Sequence, residues 1–222
     1  MFMMWITTAA MAADISVDRP SVGASASTVG AQVVQVETGL QMDAGQPTAW
    51  SLPTLLRVGL GNHVEARLDS SVFSVAEGQL AMGGLAPAVK ATVYQNDALT
   101  LGVLTGASLP IQDAPLSPYA TLLADTNLLS VNVGWAGPAM LQYAVSTGMG
   151  LPREPWSIFV ETAGGFDLSM TDNPSVWSGT IQTGLVRVVG DLECDIYLQT
   201  GLLDVQDITA AVGVSYRFDG DD

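Results

Sequence analysis

The sequence predicts an all-β protein: a closed, antiparallel transmembrane β-barrel of about twelve strands with up-and-down topology. Three observations predict it. The chain of 222 residues is 48% hydrophobic and only 13% charged. Beyond residue 31, apolar and polar residues alternate with a period of two, which is typical of strands with one apolar and one polar face. Short turns also alternate with longer loops, as they do between the two rims of an outer-membrane barrel.

The N-terminal part precedes the alternating pattern. Residues 1–13 are uncharged and end in small residues, which predicts a signal peptide. It is an atypical one, because no Lys or Arg precedes its apolar run, and a frayed apolar terminus is the alternative. We expect residues 14–30 to form a periplasmic segment, residues 31–218 the transmembrane barrel, and residues 219–222 an acidic C-terminal tail.

The strand segments follow in order. Their lengths are close to what a tilted strand needs to cross a bilayer, which is about 9 to 11 residues. In the first, Val34, Val36 and Leu40 alternate with Gln35 and Glu37. The predicted segments are 34–42, 50–60, 64–69, 85–94, 99–109, 118–124, 128–135, 140–149, 156–162, 176–186, 192–200 and 208–218.

The connections between these segments fall into two sets. Short ones are predicted at residues 61–63, 96–97, 125–127 and 190–191, with a slightly longer one at 151–155. Longer ones are predicted at 43–49, 72–84, 110–117, 166–175 and 202–207. Residues 136–138 are short where a long loop is expected. The two sets place the short turns on one rim and the long loops on the other.

A soluble β-sandwich is the alternative fold, since it also alternates. Aromatic residues near strand ends favour the barrel, because such rings prefer the headgroup region of a bilayer. A sandwich would place its tryptophans in mid-strand. The residues near strand ends are Trp50, Trp135, Trp156, Trp177, Tyr216 and Phe218. A transmembrane helix over residues 126–152 is excluded by Pro138 and four glycines.

Composition and single residues exclude several functions. A formal charge of −15 with one lysine would be repelled by nucleic acid. The single cysteine, Cys194, excludes a disulfide framework and lies on the lipid-facing phase. The single histidine, His63, is predicted to be a solvated turn residue, and no Ser–His spacing or EF-hand pattern occurs. We therefore expect no enzyme activity, no metal site and no cofactor.

Motifs along the chain carry a family resemblance. They are residues 34–39, 54–60 with 64–68, 85–94 with Lys90, 107–110, 159–161 and 212–218. In this order they resemble the outer-membrane β-barrel family of proposed transporters named for the meta pathway of phenol degradation. The resemblance implies a location in the outer membrane of a Gram-negative bacterium, a transport role and no catalytic residues. The expected partners are membrane lipid and lipopolysaccharide, the barrel insertion machinery and a small-molecule solute. The family ends on a terminal Phe, whereas four further residues follow Phe218 here.

The inward phase carries charged residues that are candidates for the functional site. A pairing of Leu60 with Val64 would place Arg57 opposite Arg67, with Glu65 and Asp69 at the diagonals. One interpretation is a selectivity element that lines a pore. The other is a set of paired charges that fills the lumen and only stabilises it. The candidates are Glu37, Arg57, Glu65, Arg67, Asp69, Lys90, Glu161, Glu193, Asp195 and Arg217.

Two functions remain open. The first is a passive channel or transporter for small solutes, hydrophobic or aromatic ones included, with inward Leu55, Leu104, Leu123 and Phe159 as apolar patches. The second is a non-conducting structural or surface-interaction barrel whose acidic loops engage divalent cations that bridge lipopolysaccharide.

Arg187 falls on the lipid-facing phase, so that it either snorkels at a rim or marks a β-bulge.

Overall fold

The computed structural model describes residues 17–18, 22–109, 115–151, 155–168, 177–202 and 208–220. None of these residues forms a helix long and apolar enough to cross a membrane. They form thirteen strands: β1 (Val34–Asp43), β2 (Ala49–Gly61), β3 (Val64–Ala76), β4 (Gln79–Ala81), β5 (Leu85–Gln95), β6 (Leu99–Ser108), β7 (Ser117–Thr126), β8 (Ser130–Ala136), β9 (Met140–Gly150), β10 (Trp156–Asp167), β11 (Trp177–Val189), β12 (Leu192–Gly201) and β13 (Ile208–Phe218).

Twelve of these strands close into an antiparallel barrel. β1 pairs with both β2 and β13, and the pairing of β2 with β3 completes the ring. β4 is a three-residue arm that pairs only with the end of β3. The predicted fold class is confirmed and the sandwich is wrong, because the ring leaves no second sheet to cover an apolar face. The predicted loop over residues 72–84 is partly wrong, since β3 continues to Ala76 and β4 follows it.

The two faces of the wall differ as the alternation predicts. Along β12, Glu193, Asp195 and Tyr197 are buried in the lumen, whereas Cys194 and Ile196 are exposed on the outer surface. Both sets keep their face across the neighbouring strands because the pairing continues in register. The outer surface is therefore an apolar band that suits hydrocarbon.

Aromatic residues lie at both ends of this band. At the long-loop end, the indole N–H of Trp177 donates to the hydroxyl of Tyr143 at 3.1 Å. At the short-turn end, the rings of Tyr216 and Phe218 pack edge to face with centroids 4.6 Å apart. Rings at both boundaries match the aromatic girdles of membrane barrels. The exposed aromatic residues on the outer surface are Trp50, Tyr94, Trp135, Trp156, Tyr216 and Phe218.

Arg187 lies at the short-turn end and does not mark a bulge. Its guanidinium carbon lies 5.4 Å from the ring centroid of Trp156. The two residues are directly paired across β10 and β11, whose register is unbroken. The rim interpretation is therefore confirmed, because a cation can remain hydrated there while it covers an aromatic face.

Polar side chains close the short turns. Asn96 accepts hydrogen bonds from the backbone N–H groups of Ala98 and Leu99 at 2.9 and 2.8 Å. Thr126 does the same for Leu128 and Leu129. Such side chains take the place of backbone partners where the chain reverses.

The turn that contains His63 has a different register from the one expected. Gly61, not Leu60, pairs with Val64, and a register shift separates it from the regular pairs of β2 and β3. Arg57 nevertheless lies opposite Arg67 as predicted, since the shift lies beyond that pair. His63 is exposed in the turn.

Candidate functional site: the lumen and its inner segment

The N-terminal residues run inside the barrel, and we call residues 17–18 and 22–29 the inner segment. Ala26 and Val29 are only 0% and 3% exposed. The chain enters the lumen beside Gly59, whose backbone N–H donates to the carbonyl of Val33 at 2.8 Å. A Cβ atom at Gly59 would overlap the carbonyl oxygen of Gly30, so glycine permits this close approach.

Side chains of the wall satisfy the backbone of the inner segment near its middle. The N–H groups of Val22 and Gly23 donate to the two carboxylate oxygens of Glu161 at 2.6 and 3.2 Å. Asn132 accepts from the N–H of Ala24 at 2.6 Å and donates to the carbonyl of the same residue at 3.1 Å. These contacts join the inner segment to β8 and β10.

Further wall residues hold the later part of the segment. Asp125 accepts from the N–H of Ala26 at 2.6 Å and from the hydroxyl of Ser25 at 2.9 Å. The N–H of Val29 donates to Glu65 at 2.8 Å. Buried backbone groups need such partners, and here carboxylates supply them in place of a neighbouring strand.

Six charged side chains form a buried cluster at the base of the lumen, which we call the ion-pair cluster. It contains three acids, Asp18, Glu37 and Glu65, and three bases, Arg57, Arg67 and Lys90, so its formal charge is zero. All six side chains are at most 8% exposed. Full pairing is what makes such burial tolerable.

Arg57 is the centre of this cluster. Its guanidinium donates to both carboxylate oxygens of Glu65 at 3.0 and 2.9 Å, and to Glu37 at 3.1 Å. It also donates to the carbonyl of Ser27 at 3.3 Å, so it contacts the inner segment as well as the wall.

Asp18 joins the cluster from the inner segment. It pairs with Arg67, and Lys90 Nζ lies 3.1 Å from its carboxylate. Burial alone would raise the pKa of Asp18, but Arg57, Lys90 and Arg67 hold it well below its ordinary value of 3.8. Asp18 is therefore an ionised partner that three bases share.

The structure brings together some of the sequence-predicted site residues and separates others. Glu37, Arg57, Glu65, Arg67 and Lys90 meet in the ion-pair cluster, whereas Glu161 binds the middle of the inner segment.

The remaining four predicted residues lie apart from the cluster. Asp69 lies further along β3 and lines the larger cavity described below. Glu193 and Asp195 are buried on β12, where Glu193 is directly paired with Ser215. Arg217 pairs with Asp219 at 2.6 Å near the short-turn rim.

Sequence reasoning missed three residues of the site. The sequence analysis assigns Asp18 to a periplasmic segment and Asp125 to a turn, and it does not include Asn132 among the site residues. A usable signal existed for Asn132, because it is a polar residue on the inward phase of β8. No pattern in the sequence pairs Asp18 with residues of β2, β3 and β5.

Two cavities lie on opposite sides of the inner segment. The larger, which we call the upper cavity, has a volume of about 750 Å³ and is lined by strands toward the long-loop rim. The smaller, which we call the lower cavity, has about 400 Å³ and lies toward the short-turn rim, beside Asn127 and Leu128. Gly23 and Ala24 line both cavities, so these two residues separate them.

The upper cavity has a largely uncharged wall. Leu55, Leu104 and Tyr119 contribute apolar surface, and Arg67 and Asp69 are charged groups in the lining. Leu123 instead packs against Ala24 and Ala26 of the inner segment, together with Leu104. Phe159 lines the lower cavity. Uncharged polar residues complete the upper wall, among them Thr54, Thr121, Gln142, Thr180 and Gln199.

In the part of the chain that the structure describes, no three His, Cys, Asp or Glu side chains form a group that could hold a metal ion. The described lining of the lumen offers hydrogen-bonding groups, ion pairs and apolar surface.

Comparison with solved structures identifies similar barrels. The KdgM porin superimposes with a TM-score of 0.58 at 12% identity, over 82% of this chain and 99% of its own. An outer-membrane channel from Pseudomonas putida F1 does so with a TM-score of 0.58 at 10% identity, over 86% and 97%. No protein-family model matches the chain, and no curated protein does. The chain therefore has the channel-like β-barrel fold of outer-membrane porins.

Proposed function

We propose that this protein is a passive channel of a Gram-negative outer membrane for small solutes, including solutes with hydrophobic or aromatic groups. The observation that carries the proposal is a twelve-stranded barrel whose lumen holds an upper cavity of about 750 Å³. Small-molecule sites in proteins commonly have this size and a mostly apolar wall with a few polar groups.

The outer surface supports the membrane part of this proposal. Leu122, Val133 and Ile196 are 65%, 46% and 50% exposed on it, and water would solvate such a band poorly. Aromatic girdles at both ends fit a bilayer boundary. We further propose that the chain belongs to the phenol-degradation-named family, that the barrel insertion machinery places it, and that its outer loops contact lipopolysaccharide.

The composition of the upper cavity supports the choice of solute. Its wall combines aliphatic and aromatic side chains with hydroxyl and amide groups, and only Arg67 and Asp69 place charges beside Asp18 near its base. A solute with a ring and a few hydroxyl groups would match both kinds of surface. No residue of the lumen is assigned a catalytic role in this proposal.

A non-conducting barrel is the second candidate, and a specific observation favours it. The inner segment and the ion-pair cluster occupy the base of the lumen, where Ala26, Arg57, Glu65 and Lys90 are each 0% exposed. Small barrels often fill their interiors in this way for stability.

Solute flux separates the two candidates. Phenyl glucoside and methyl glucoside are both uncharged, and they differ in one ring, so a liposome-swelling assay with each tests passage and preference together. We expect both solutes to enter the liposomes. A simple pore would pass the larger phenyl glucoside more slowly than methyl glucoside, and we expect the apolar wall to reduce or reverse this difference in rate. Liposomes that do not swell with either solute, although the protein shows the heat-dependent gel shift of a folded barrel, would contradict the channel.

Ion selectivity in planar bilayers provides a matched test. Asp69→Asn removes a charge that lines the upper cavity, whereas Asp97→Asn removes one from an exposed turn at the other rim. We expect the first change to shift the reversal potential under a salt gradient and the second to leave it nearly unchanged. Equal effects of both would mean that ions do not pass beside Asp69.

A further inference from the structure

The lower cavity contains a buried carboxylate that has no basic partner among the described residues. Glu193 lies on the inner face of β12, lines this cavity and is 3% exposed. In the part of the chain that the structure describes, no side chain or backbone group forms a hydrogen bond with its Oε1 atom. Buried polar atoms normally have a partner, so this oxygen calls for one from outside the described protein.

The charged surroundings of Glu193 are acidic rather than basic. The groups that act on it are Asp195 and Glu37, and Glu37 is already bound by Arg57 in the ion-pair cluster. Ser215 lies directly opposite Glu193 on β13, and its Oγ atom also has no hydrogen-bond partner among the described residues. A buried charge without compensation is costly, and a bound cation would remove this cost.

The other carboxylate that lines the lower cavity is fully used by the protein. One oxygen of Asp125 accepts from the hydroxyl of Ser25 at 2.9 Å and from the N–H of Ala26 at 2.6 Å. Its second oxygen accepts from the hydroxyl of Ser130 at 2.6 Å. Of the two acids in this lining, Glu193 is therefore the one with an oxygen available to a ligand.

Apolar side chains continue from Glu193 along the wall of the cavity. Glu193 is directly paired with Val188 on β11, so Val186 lies diagonal to it on the same inner face. Phe159 follows one strand further, directly paired with Gly184, and a Cβ atom at this glycine would lie 2.6 Å from the ring. Val186 and Phe159 both line the cavity, which has about 400 Å³. The cavity thus presents an acid and an apolar wall to the same ligand.

We propose that the lower cavity is a binding site for a small organic ammonium, a primary amine that carries an aromatic or aliphatic group. The ammonium donates to Oε1 of Glu193, and the apolar group packs against Val186 and Phe159. The inference rests on the proposed channel function for the route by which the solute arrives. It deepens that function by naming a class of solute and the residue that recognises its charge.

Two observations favour an organic cation over a metal ion. Among the described residues, no three His, Cys, Asp or Glu side chains form a group that could hold a metal, whereas Ca²⁺ takes about six to eight oxygen ligands. The cavity of about 400 Å³ is also far larger than a single ion and has the size of a small-molecule site. One buried carboxylate beside an apolar wall matches an ammonium group with a hydrocarbon substituent.

A matched pair of probes tests the site in the folded barrel. Phenethylamine and phenethyl alcohol have the same ring and the same chain, but only the amine is charged at neutral pH. In equilibrium dialysis against the same detergent buffer, we expect the native barrel to bind the amine about 10- to 150-fold more tightly, which is the worth of a hydrogen bond to a charged group. Equal affinities for the amine and the alcohol would overturn the proposal.

A matched pair of variants tests the assignment to Glu193. Glu193→Gln keeps the shape of the side chain and removes its charge, so it should abolish the preference for the amine and leave the affinity for the alcohol unchanged. Asp97→Asn removes a negative charge from an exposed turn at the same rim and should leave the preference intact, because solvent and salt screen exposed charges. A preference that survives in Glu193→Gln, or that is lost equally in both variants, would contradict the assignment.

The heat-dependent gel shift gives a second measurement that needs no variant. A ligand that binds the folded barrel raises the temperature at which the shift is lost, so phenethylamine should raise it more than phenethyl alcohol does. Calcium chloride at the same concentration as the amine should not displace it in the dialysis assay. Displacement by calcium would indicate a metal site and overturn the proposal of an organic cation.

The site and the channel can fail separately. Dialysis and the gel shift require a folded barrel but no conductance. Selective binding of the amine by a barrel that does not swell liposomes would support the site and overturn the channel. Swelling of the liposomes by a barrel that does not prefer the amine would overturn the site and leave the channel proposal standing.

Discussion

Removal of Arg57 should destabilise the barrel more than any other single change in the ion-pair cluster. The side chain is 0% exposed and makes three hydrogen bonds to Glu37 and Glu65, at 2.9 to 3.1 Å. Arg57→Met keeps much of the volume but leaves three carboxylates against two bases. The formal charge of the cluster falls from zero to minus one.

The expected magnitude follows from this imbalance. Removing one partner of a buried ion pair costs about 3–5 kcal/mol, mainly because the other charge stays buried without compensation. Solvent cannot screen this charge, because Glu37 and Glu65 are also 0% exposed. The double variant Arg57→Met with Glu65→Gln returns the charge to zero. It should therefore cost less than the sum of its two single changes, by a coupling of about 1–3 kcal/mol.

The measurement is the free energy of unfolding in urea from lipid vesicles, followed by tryptophan fluorescence. Arg187→Met is the matched control, since Arg187 lies on the outer rim and contacts Trp156, and we expect it to cost at most about 1 kcal/mol. If Arg57→Met costs no more than this control, or if the double variant equals the sum of its parts, the cluster does not hold the lumen together as argued.

Three further predictions concern the inner segment and the outer wall. Gly59→Ala should push the inner segment away from the wall, because the new Cβ atom would overlap the carbonyl oxygen of Gly30. The measurement is the rate at which a water-soluble maleimide labels a cysteine placed at position 23 (Gly23→Cys), in a barrel that still shows its heat-dependent gel shift. Faster labelling would support the expectation, and an unchanged rate would refute it. Ile196→Lys should cost about 2–4 kcal/mol in lipid, measured as above, since it places a charge on the mid-strand outer surface; a neutral result would argue against lipid contact there. Because the pKa of Asp18 lies below its ordinary value of 3.8 in the folded protein, its ion pairs contribute their full stabilisation above that pH, and this contribution is lost as the pH falls further. The decrease in the free energy of unfolding at acid pH should therefore be smaller in Asp18→Asn. Identical acid profiles of the two proteins would contradict the pairing.

The sequence predicted the strands and their facing because both depend on local alternation. Leu192, Cys194 and Ile196 read as one face and Glu193 with Asp195 as the other, and the structure keeps this assignment. A slip of one residue would reverse every side chain, so a membrane-facing strand has a strongly determined register. The opposition of Arg57 and Arg67 followed from the same rule.

The inner segment could not be predicted in this way. Residues 22–29 have no alternation that marks a partner, and their contacts lie as far as 139 residues away in sequence, as between Val22 and Glu161. Asp18 joins Arg67 and Lys90 only because the chain turns back into the lumen beside Gly59. Such contacts depend on closure of the ring, which local patterns do not encode.

The two interpretations of the lumen charges now apply to different residues. Glu37, Arg57, Glu65 and Lys90 are fully buried and bind one another, so they cannot select ions by contact with a passing solute. Asp69 lines the upper cavity, and Arg67 is the wall residue of the cluster that also reaches this lining. If ions pass, selectivity should therefore reside at Arg67 and Asp69, while the buried charges bind one another and the inner segment. A mutation at Asp69 should therefore alter which ions cross, whereas a mutation in the cluster should alter the stability of the barrel.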